Sequence, residues 1–376
     1  MDNQWKHLSS RNGDLPTPPV DPQQTLCLVL DVDKDGRSDI IIGGRNQTPA
    51  LVWLRPGQDG WSTYIIDNSE GVRLEAGGAF HDIDGDGYPD IVAGGDHKSN
   101  KLYWWKNPGP PYDPQTPWQR YEIKNSGLNK YHDQIFGDFN GDGKPELVFW
   151  NQRERLLYIS EIPPNPAVDP WPYTAIYHDA GELFPREGLG AADIDGDGQV
   201  ELLAGGLWFK HTGGTNYIPY PIDEEMRDPR IRTADLNGDG KPEVVMVTSD
   251  HKGPIRWYEC CGDPTQTESW RTHPVVDFEI DHGHSLEIAD FDGDGHLDIL
   301  CAEMRDWIAG DNPKCKMWIF YGDGKGNFSP REIAEGYGIH EAKIGDFDGD
   351  GRPDICAKPF CWDTNRIDVW LNRIPR

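Results

Sequence analysis

Apolar residues in this chain fall in short runs, each followed by a polar, glycine-rich break, and the runs return in a fixed order. QIFGDFN and LEIADFD show an apolar run leading into an acidic loop. A second run leaves that loop, as in DIVAGG, ELLAGG or DILCAE. An aromatic third run follows: LVWLRPG, KLYWWKN, IRWYEC, KMWIFYG, DVWLNR. A fourth often opens with Trp: WSTYII, WQRYEI, WPYTAI, WRTHPV. Such runs, rich in β-branched and aromatic residues and bounded by Gly, Pro and Asp, predict strands. The acidic loops begin at residues 31, 82, 138, 193, 235, 290 and 346, so the four-strand unit recurs seven times. Four strands repeated seven times predicts an all-β fold, a seven-bladed β-propeller of four-stranded blades, as a single domain over residues 1–376. The last repeat runs out after its third strand, at IDVWLNRIPR. WKHL, within a strand at about residues 4–9, is expected to supply the missing fourth strand and close the ring, which removes an open sheet edge. Trp104, Trp257 and Trp318 are expected in the core between blades.

The polar breaks are as regular as the strands. Each acidic loop is nine residues long, with Asp or Asn at positions 1, 3 and 5, Gly at 6, and Asp or Glu at 9. The first two hold Asp31, Asp33, Asp35 and Asp39, then Asp82, Asp84, Asp86 and Asp90. The third and fourth hold Asp138, Asn140, Asp142 and Glu146, then Asp193, Asp195, Asp197 and Glu201. The fifth holds Asp235, Asn237, Asp239 and Glu243. The last two hold Asp290, Asp292, Asp294 and Asp298, then Asp346, Asp348, Asp350 and Asp354. Oxygen side chains at alternate positions, a glycine for the sharp turn and a free carbonyl at position 7 form a calcium-loop pattern. Hard oxygen donors without sulfur or imidazole favour Ca²⁺ over zinc or copper. Up to seven structural Ca²⁺ ions are therefore expected.

Composition fits this reading. The formal net charge is -28, from 64 acidic and 36 basic residues, and the loops account for 26 of the acids. So negative a chain repels nucleic-acid phosphates and anionic membranes, which makes both poor partners. Fifteen Trp, 14 Tyr and 12 Phe supply the apolar bulk of a core. No apolar run reaches the ~18 residues of a membrane span, and residues 1–30 carry no signal-peptide pattern. The seven cysteines, an odd count, match no zinc ribbon and leave at least one free thiol if all pairing is internal. Compartment stays open. Filling seven calcium sites suits an extracytoplasmic setting, secreted or periplasmic, while the missing signal and odd cysteine count point the other way. Oligomeric state is not legible.

The repeats resemble the FG-GAP/VCBS family, the calcium-loop propellers also found in integrin α heads. The resemblance covers essentially the whole chain. It implies that each loop joins the first and second strands of a blade on the lower face, and that its metal is structural. The acid-rich stretches are then frame, and chemistry belongs on the upper face.

There, six residues before each loop, stand Thr25, Ala76, His132, Glu187, Pro229, His284 and His340. Beside them are Glu75, Asp133, Arg186, Arg230, His282 and Glu341. Equivalent positions of a sevenfold ring converge on its axis. His132, Glu187, His284 and His340 are thus expected to form a central metal site, for Ca²⁺ or Zn²⁺, or an acid–base cluster. Tyr131, next to His132, reads equally as core or as base. The loops between second and third strands add Asp96-His97-Lys98 and Asp250-His251-Lys252. They also offer Asn151, Arg153, Glu303, Arg305, Trp307, Lys358, Trp362 and Arg366. Cations, imidazoles and tryptophans around one funnel suit a sugar or glycan, because Trp stacks on sugar C–H faces and Arg pairs with carboxylate.

HSLEIADFDGDGHLDILCAEM (284–304) and IHEAKIGDFDGDGRPDICAKP (339–359) resemble the propeller of aldos-2-ulose (anhydrofructose) dehydratases. They are also similar to propeller polysaccharide lyases acting on uronate-containing glycans. The cupin domains of the dehydratases have no counterpart in these residues. Both resemblances imply β-elimination by a carbon–oxygen lyase. His97 or His251 would transfer the proton, and Arg230, Arg153 and Lys358 would hold acid or hydroxyl groups. Two other classes stay open. One is a non-catalytic glycan- or protein-binding propeller, of which a purely lectin-like form would be expected to repeat similar pockets in every blade. The other is a glycoside hydrolase drawing a carboxylate pair from Glu187, Glu303 and Glu341.

Overall fold

The computed structural model describes residues 4–181, 185–305, 312–360 and 365–375. Each repeat folds into an antiparallel four-stranded meander, and the seven meanders form a ring. Blade 1 runs Gln24–Leu30, Asp39–Gly44, Leu51–Gly57 and Gly60–Asp67 from axis to rim. The inner strands of blades 2 to 7 are Ala79–His81, Tyr131–Gly137, Leu189–Ala192, Pro229–Ala234, Ser285–Ala289 and Ile339–Gly345. The seventh blade closes as expected. Trp5–Ser9 pairs antiparallel with Asp368–Asn372, setting Trp5 opposite Asn372 and Ser9 opposite Asp368. His7 fixes this seam: its Nε2 lies 2.8 Å from Asp368 Oδ1, and its ring stacks on Trp370 at 4.6 Å. Among the described residues, no helix is long and apolar enough to cross a membrane.

The second strands explain why the apolar runs are continuous rather than alternating. Asp39–Gly44, Glu146–Asn151 and Glu243–Thr248 are buried along their whole length, because each face packs on a neighbouring blade. In blade 1, Ile41 and Trp53 pack with Ile91 and Trp105 of blade 2, while Ile40, Ile42 and Val52 pack with Cys356 and Val369 of blade 7. Each large side chain buried this way contributes about 1.5–3 kcal/mol. Trp104 and Trp257 lie in the inter-blade core, and Trp318 packs against it. The six described cysteines are free thiols.

All seven loops share one hydrogen-bonded frame. The carboxylate at position 9 accepts the backbone N–H of position 2, at 2.9 Å from Val32 to Asp39 and 2.7 Å from Ile194 to Glu201. The carboxylate at position 1 accepts the N–H of the glycine at position 6, as from Gly240 to Asp235 at 2.9 Å. That glycine always has positive φ, from 77° at Gly351 to 94° at Gly87, which L side chains adopt only with strain. Position 4 also has positive φ. Six loops place glycine there, and the first places Lys34, at φ 61°.

The inner strands line the axis, and three of them bulge near their upper ends. The pairing register shifts around Thr25, Asp133 and His340, in blades 1, 3 and 7. A bulge re-aims the side chain it carries.

Candidate functional site

The bulges and the strand starts bring charged side chains from five blades together at the top of the axis. His132 Nδ1 lies 2.8 Å from Asp133 Oδ2, and its Nε2 lies 3.6 Å from Glu187 Oε2. Glu187 also accepts from Gln152 Nε2 at 2.7 Å and from the Ser249 hydroxyl at 2.5 Å. Asp133 takes φ 55°, which turns its carboxylate to accept from Arg230 Nη1 at 2.9 Å and from the Gly188 N–H at 2.8 Å. Arg230 Nη2 stands 2.8 and 2.9 Å from the two ring nitrogens of His284. The His284 ring stacks on His340 at 4.1 Å, and Lys358 Nζ donates to His340 Nδ1 at 2.8 Å.

Burial and charge set the protonation states. Burial alone would depress the His132 imidazole, but the Glu187 and Asp133 carboxylates outweigh it and push it up to about 9. Burial pushes the Glu187 carboxyl up, against the pull of His132. Burial would also raise Asp133, yet His132 and Arg230 hold it well below the usual carboxylate range. Burial together with nearby Arg230 and Lys358 drives His284 and His340 far down, so both are neutral at pH 7. Burial brings the Lys358 ammonium down to about 8, with Glu341 resisting. The result is a protonated imidazole facing a buried carboxyl group, beside a fixed guanidinium and two neutral imidazoles.

Of the four residues expected on the axis, His132, Glu187 and His284 bring ligand atoms within 4.8 Å of one another. His340 stands outside that trio and meets Lys358 instead. Arg230 puts a positive charge against both nitrogens of His284, on the side a metal ion would need. The cluster borders a cavity of about 240 Å³ lined from all seven blades, including Gln134, Arg230, His284, Glu341 and Lys343. Both amide atoms of Gln134 are buried without a hydrogen-bond partner.

The other sequence candidates lie elsewhere. His97 and His251 sit on exposed upper turns, His97 with Nδ1 3.5 Å from Asp96 and His251 with Nδ1 3.1 Å from Asp228. Arg153 and Arg305 are exposed. Tyr131 is fully buried among blades 2 and 3, its hydroxyl donating to the Asn100 carbonyl and accepting from Lys124, and burial pushes its pKa far up. Asn151 donates to the Leu128 carbonyl, and Arg366 pairs with Asp368, so both hold turns. Lys358 also donates to the Gln24 and Thr25 carbonyls. Glu303 accepts the backbone N–H groups of Asp281 and Lys316, and Glu341 those of Cys27 and Gly77. Trp307 and Trp362 lie outside the described residues. Sequence reasoning missed Gln152 and Ser249. Both stand six residues after the last residue of their loop, a shared offset that could have revealed them.

At the lower ends of the strands, the acidic loops gather their carboxylates. The ligand atoms of Asp31, Asp33 and Asp39 lie within 4.8 Å of one another, as do those of Asp82, Asp84 and Asp86, and those of Asp138, Asp142 and Glu146. One oxygen each of Asp33, Asp82 and Asp348 is buried without a hydrogen-bond partner. An all-oxygen donor set with orphaned buried oxygens fits a hard divalent cation.

Comparison with known proteins agrees with the fold. Residues 82–149, 235–301 and 304–357, together just over half of the chain, match the FG-GAP-like repeat. No curated protein sequence matches the chain. Among solved structures, BBS1N in complex with ARL6DN is similar at 10% identity and a TM-score of 0.55, over 100% of this chain and 98% of that one. The V. cholerae biofilm matrix protein Bap1 is similar at 14% identity and a TM-score of 0.48, over 100% of this chain and 92% of that one. At 10% identity the likeness to BBS1N speaks to the fold alone. Seven matching blades, a glycine-gated acidic loop in each, and the three matched segments lead to one conclusion: this chain belongs to the FG-GAP-like repeat family.

Proposed function

We propose that this propeller is a carbohydrate-active lyase whose acid–base groups lie at the top of the axis and whose frame is held by calcium. The observation that carries the reading is the meeting of His132, Glu187 and Arg230 from three successive blades, with His132 and Glu187 both shifted upward in pKa. Perturbation by burial together with specific charge partners, in a cluster drawn from several blades, is one mark of a functional site. In a β-elimination, Glu187 takes the proton next to the carbonyl or carboxylate of a sugar or uronate. The C–H electrons form the new double bond. His132 gives its proton to the departing oxygen as the C–O bond breaks. Arg230 faces the negative charge that develops on the carbonyl side, the role a metal would otherwise fill. His97, His251 and Arg153 would then meet the ligand at the rim.

Calcium would be held by the seven loops, through positions 1, 3, 5 and 9 and the carbonyl of position 7. Its chemistry there is structural: it neutralises the clustered carboxylates that fix each blade's first turn.

A binding propeller is the second reading. It is favoured by the burial of the axial cluster, in which even Arg230 is only 8% exposed. A panel of uronate glycans and keto-sugars, followed by ultraviolet absorbance of the conjugated product in calcium-replete buffer, separates the two. Product formation supports the lyase. Binding without product from any substrate overturns it.

A further inference from the structure

Two register positions meet at the junctions between neighbouring blades. One is the second residue after an acidic loop, on the second strand of a blade. The other is the residue four before the next loop, on the inner strand of the following blade. Three successive junctions fill them with apolar pairs packed in one cluster: Val148 with Leu189, Leu203 with Ile231, and Val245 with Leu286. The junction of blade 7 with blade 1 holds Cys356 and Cys27 instead, with 3.9 Å between the two Sγ atoms. Both are fully buried, in one apolar cluster. No other junction has a cysteine at either position.

This is the junction at which the ring closes. Blades 1 and 7 hold opposite ends of the chain, and Cys27 and Cys356 lie 329 positions apart. The chain crosses here only after Trp5–Ser9, whose hold on blade 7 is strand pairing with Asp368–Asn372. No covalent bond fixes that pairing in the structure. A disulfide needs its sulfurs about 2.05 Å apart. Turning one cysteine about its Cα–Cβ bond moves its sulfur by ~2 Å, the gap that remains.

We propose that Cys27 and Cys356 are a cross-linking site, joined in oxidising surroundings by a disulfide that closes the ring covalently. The oxidant is a small disulfide of the glutathione class. The thiolate of one cysteine attacks a glutathione sulfur, breaks that S–S bond and expels one glutathione thiolate. The second cysteine then attacks the mixed disulfide, forms the Cys27–Cys356 bond and expels the other. Two cysteine thiols are oxidised, one glutathione disulfide is reduced, and the two protons end on the two glutathione thiols. Burial raises the Cys356 thiol well above its ordinary pKa, so exchange belongs to the open seam and the finished bond to the closed one. The bond stabilises by restricting the unfolded chain across nearly its whole length.

The test holds the folded protein with oxidised glutathione in urea below its unfolding midpoint, where local opening admits the reagent. A second sample is refolded from urea in mixed oxidised and reduced glutathione, so that burial cannot hide the thiols. Remaining thiols are capped with N-ethylmaleimide in full denaturant, and unreduced peptides are mapped by mass spectrometry. A peptide pair joining Cys27 to Cys356, separated by reductant, is expected. The cross-linked protein should melt about 3–5 °C above the reduced one. Cys27→Ala and, separately, Cys356→Ala should show no such rise after the same treatment, which excludes pairing among the other cysteines as its source. Cys27 and Cys356 both recovered capped, or each carrying glutathione alone, in both samples would overturn the cross-link. A cross-linked protein that melts no higher than the reduced one would overturn its role in closing the ring.

Discussion

Arg230 of blade 5 donates to Asp133 of blade 3 at 2.9 Å, joining residues 97 positions apart across the top of the axis. Arg230 also donates to the His284 carbonyl at 3.1 Å, so one side chain ties blades 3, 5 and 6 together. Removing one partner of a buried ion pair leaves the other charge uncompensated and typically costs about 3–5 kcal/mol. Arg230→Met should therefore lower the unfolding free energy by that order in denaturant titration. The double variant Arg230→Met/Asp133→Asn should recover part of the loss. Additive losses would contradict the coupling.

The closing seam makes a second prediction. Trp5–Ser9 covers the edge of blade 7, so a chain lacking residues 4–9 exposes that edge and loses the His7–Asp368 contact. Losing about 3 kcal/mol in a domain of this size should lower the melting temperature by roughly 4 °C. An unchanged melting curve would contradict closure by the N-terminal strand.

Position 4 of the first loop makes a third. Lys34 holds φ 61° where the other six loops have glycine. A left-handed conformation costs an L residue about 1–2 kcal/mol, and glycine gives back roughly half of that in unfolded-state entropy. Lys34→Gly should stabilise the protein by about 0.5 kcal/mol in denaturant titration, and a destabilised variant would contradict the strain.

The position-9 carboxyls predict an unusual pH dependence. Burial pushes Asp39, Asp90, Glu146, Glu201, Glu243, Asp298 and Asp354 each up to about 7. Unfolded, such groups titrate near ~4. A folded pKa above the unfolded one gives stability that is present in acid and lost as pH rises through the folded value. In chelator, melting temperature should therefore fall between about pH 4 and pH 7. Wherever a loop binds calcium, its ionised carboxylate is the favoured form, so added calcium should flatten that fall. A melting temperature that rises over this range in chelator would contradict the assignment.

Most of the fold was legible because one physical device, the acidic loop, marks every blade at the same place. The aromatic third strands and the orphan WKHL segment then followed from counting. The axial site was only partly legible. Loop spacing put His132, Glu187 and His284 at one level, and they meet there. It also put His340 there, but the bulge at His340 breaks the register and hands its ring to Lys358. The spacing could not foresee that Asp133, through its positive φ, would turn inward and join His132 to Arg230. Nor did it separate Tyr131 from the site, although adjacent residues on a strand face opposite ways.

The central claim is that His132 and Glu187 transfer protons to and from a sugar on the axis. It is tested most directly by comparing the unaltered protein with Glu187→Gln, which keeps a hydrogen-bonding side chain facing Gln152 and Ser249. Calorimetric binding and formation of unsaturated product would be measured on the same substrate. The account predicts that Glu187→Gln binds that substrate with similar affinity and forms product at least about 100-fold more slowly. Equal rates in the two proteins, or binding by the unaltered protein with no product from any sugar acid or keto-sugar tested, would contradict it.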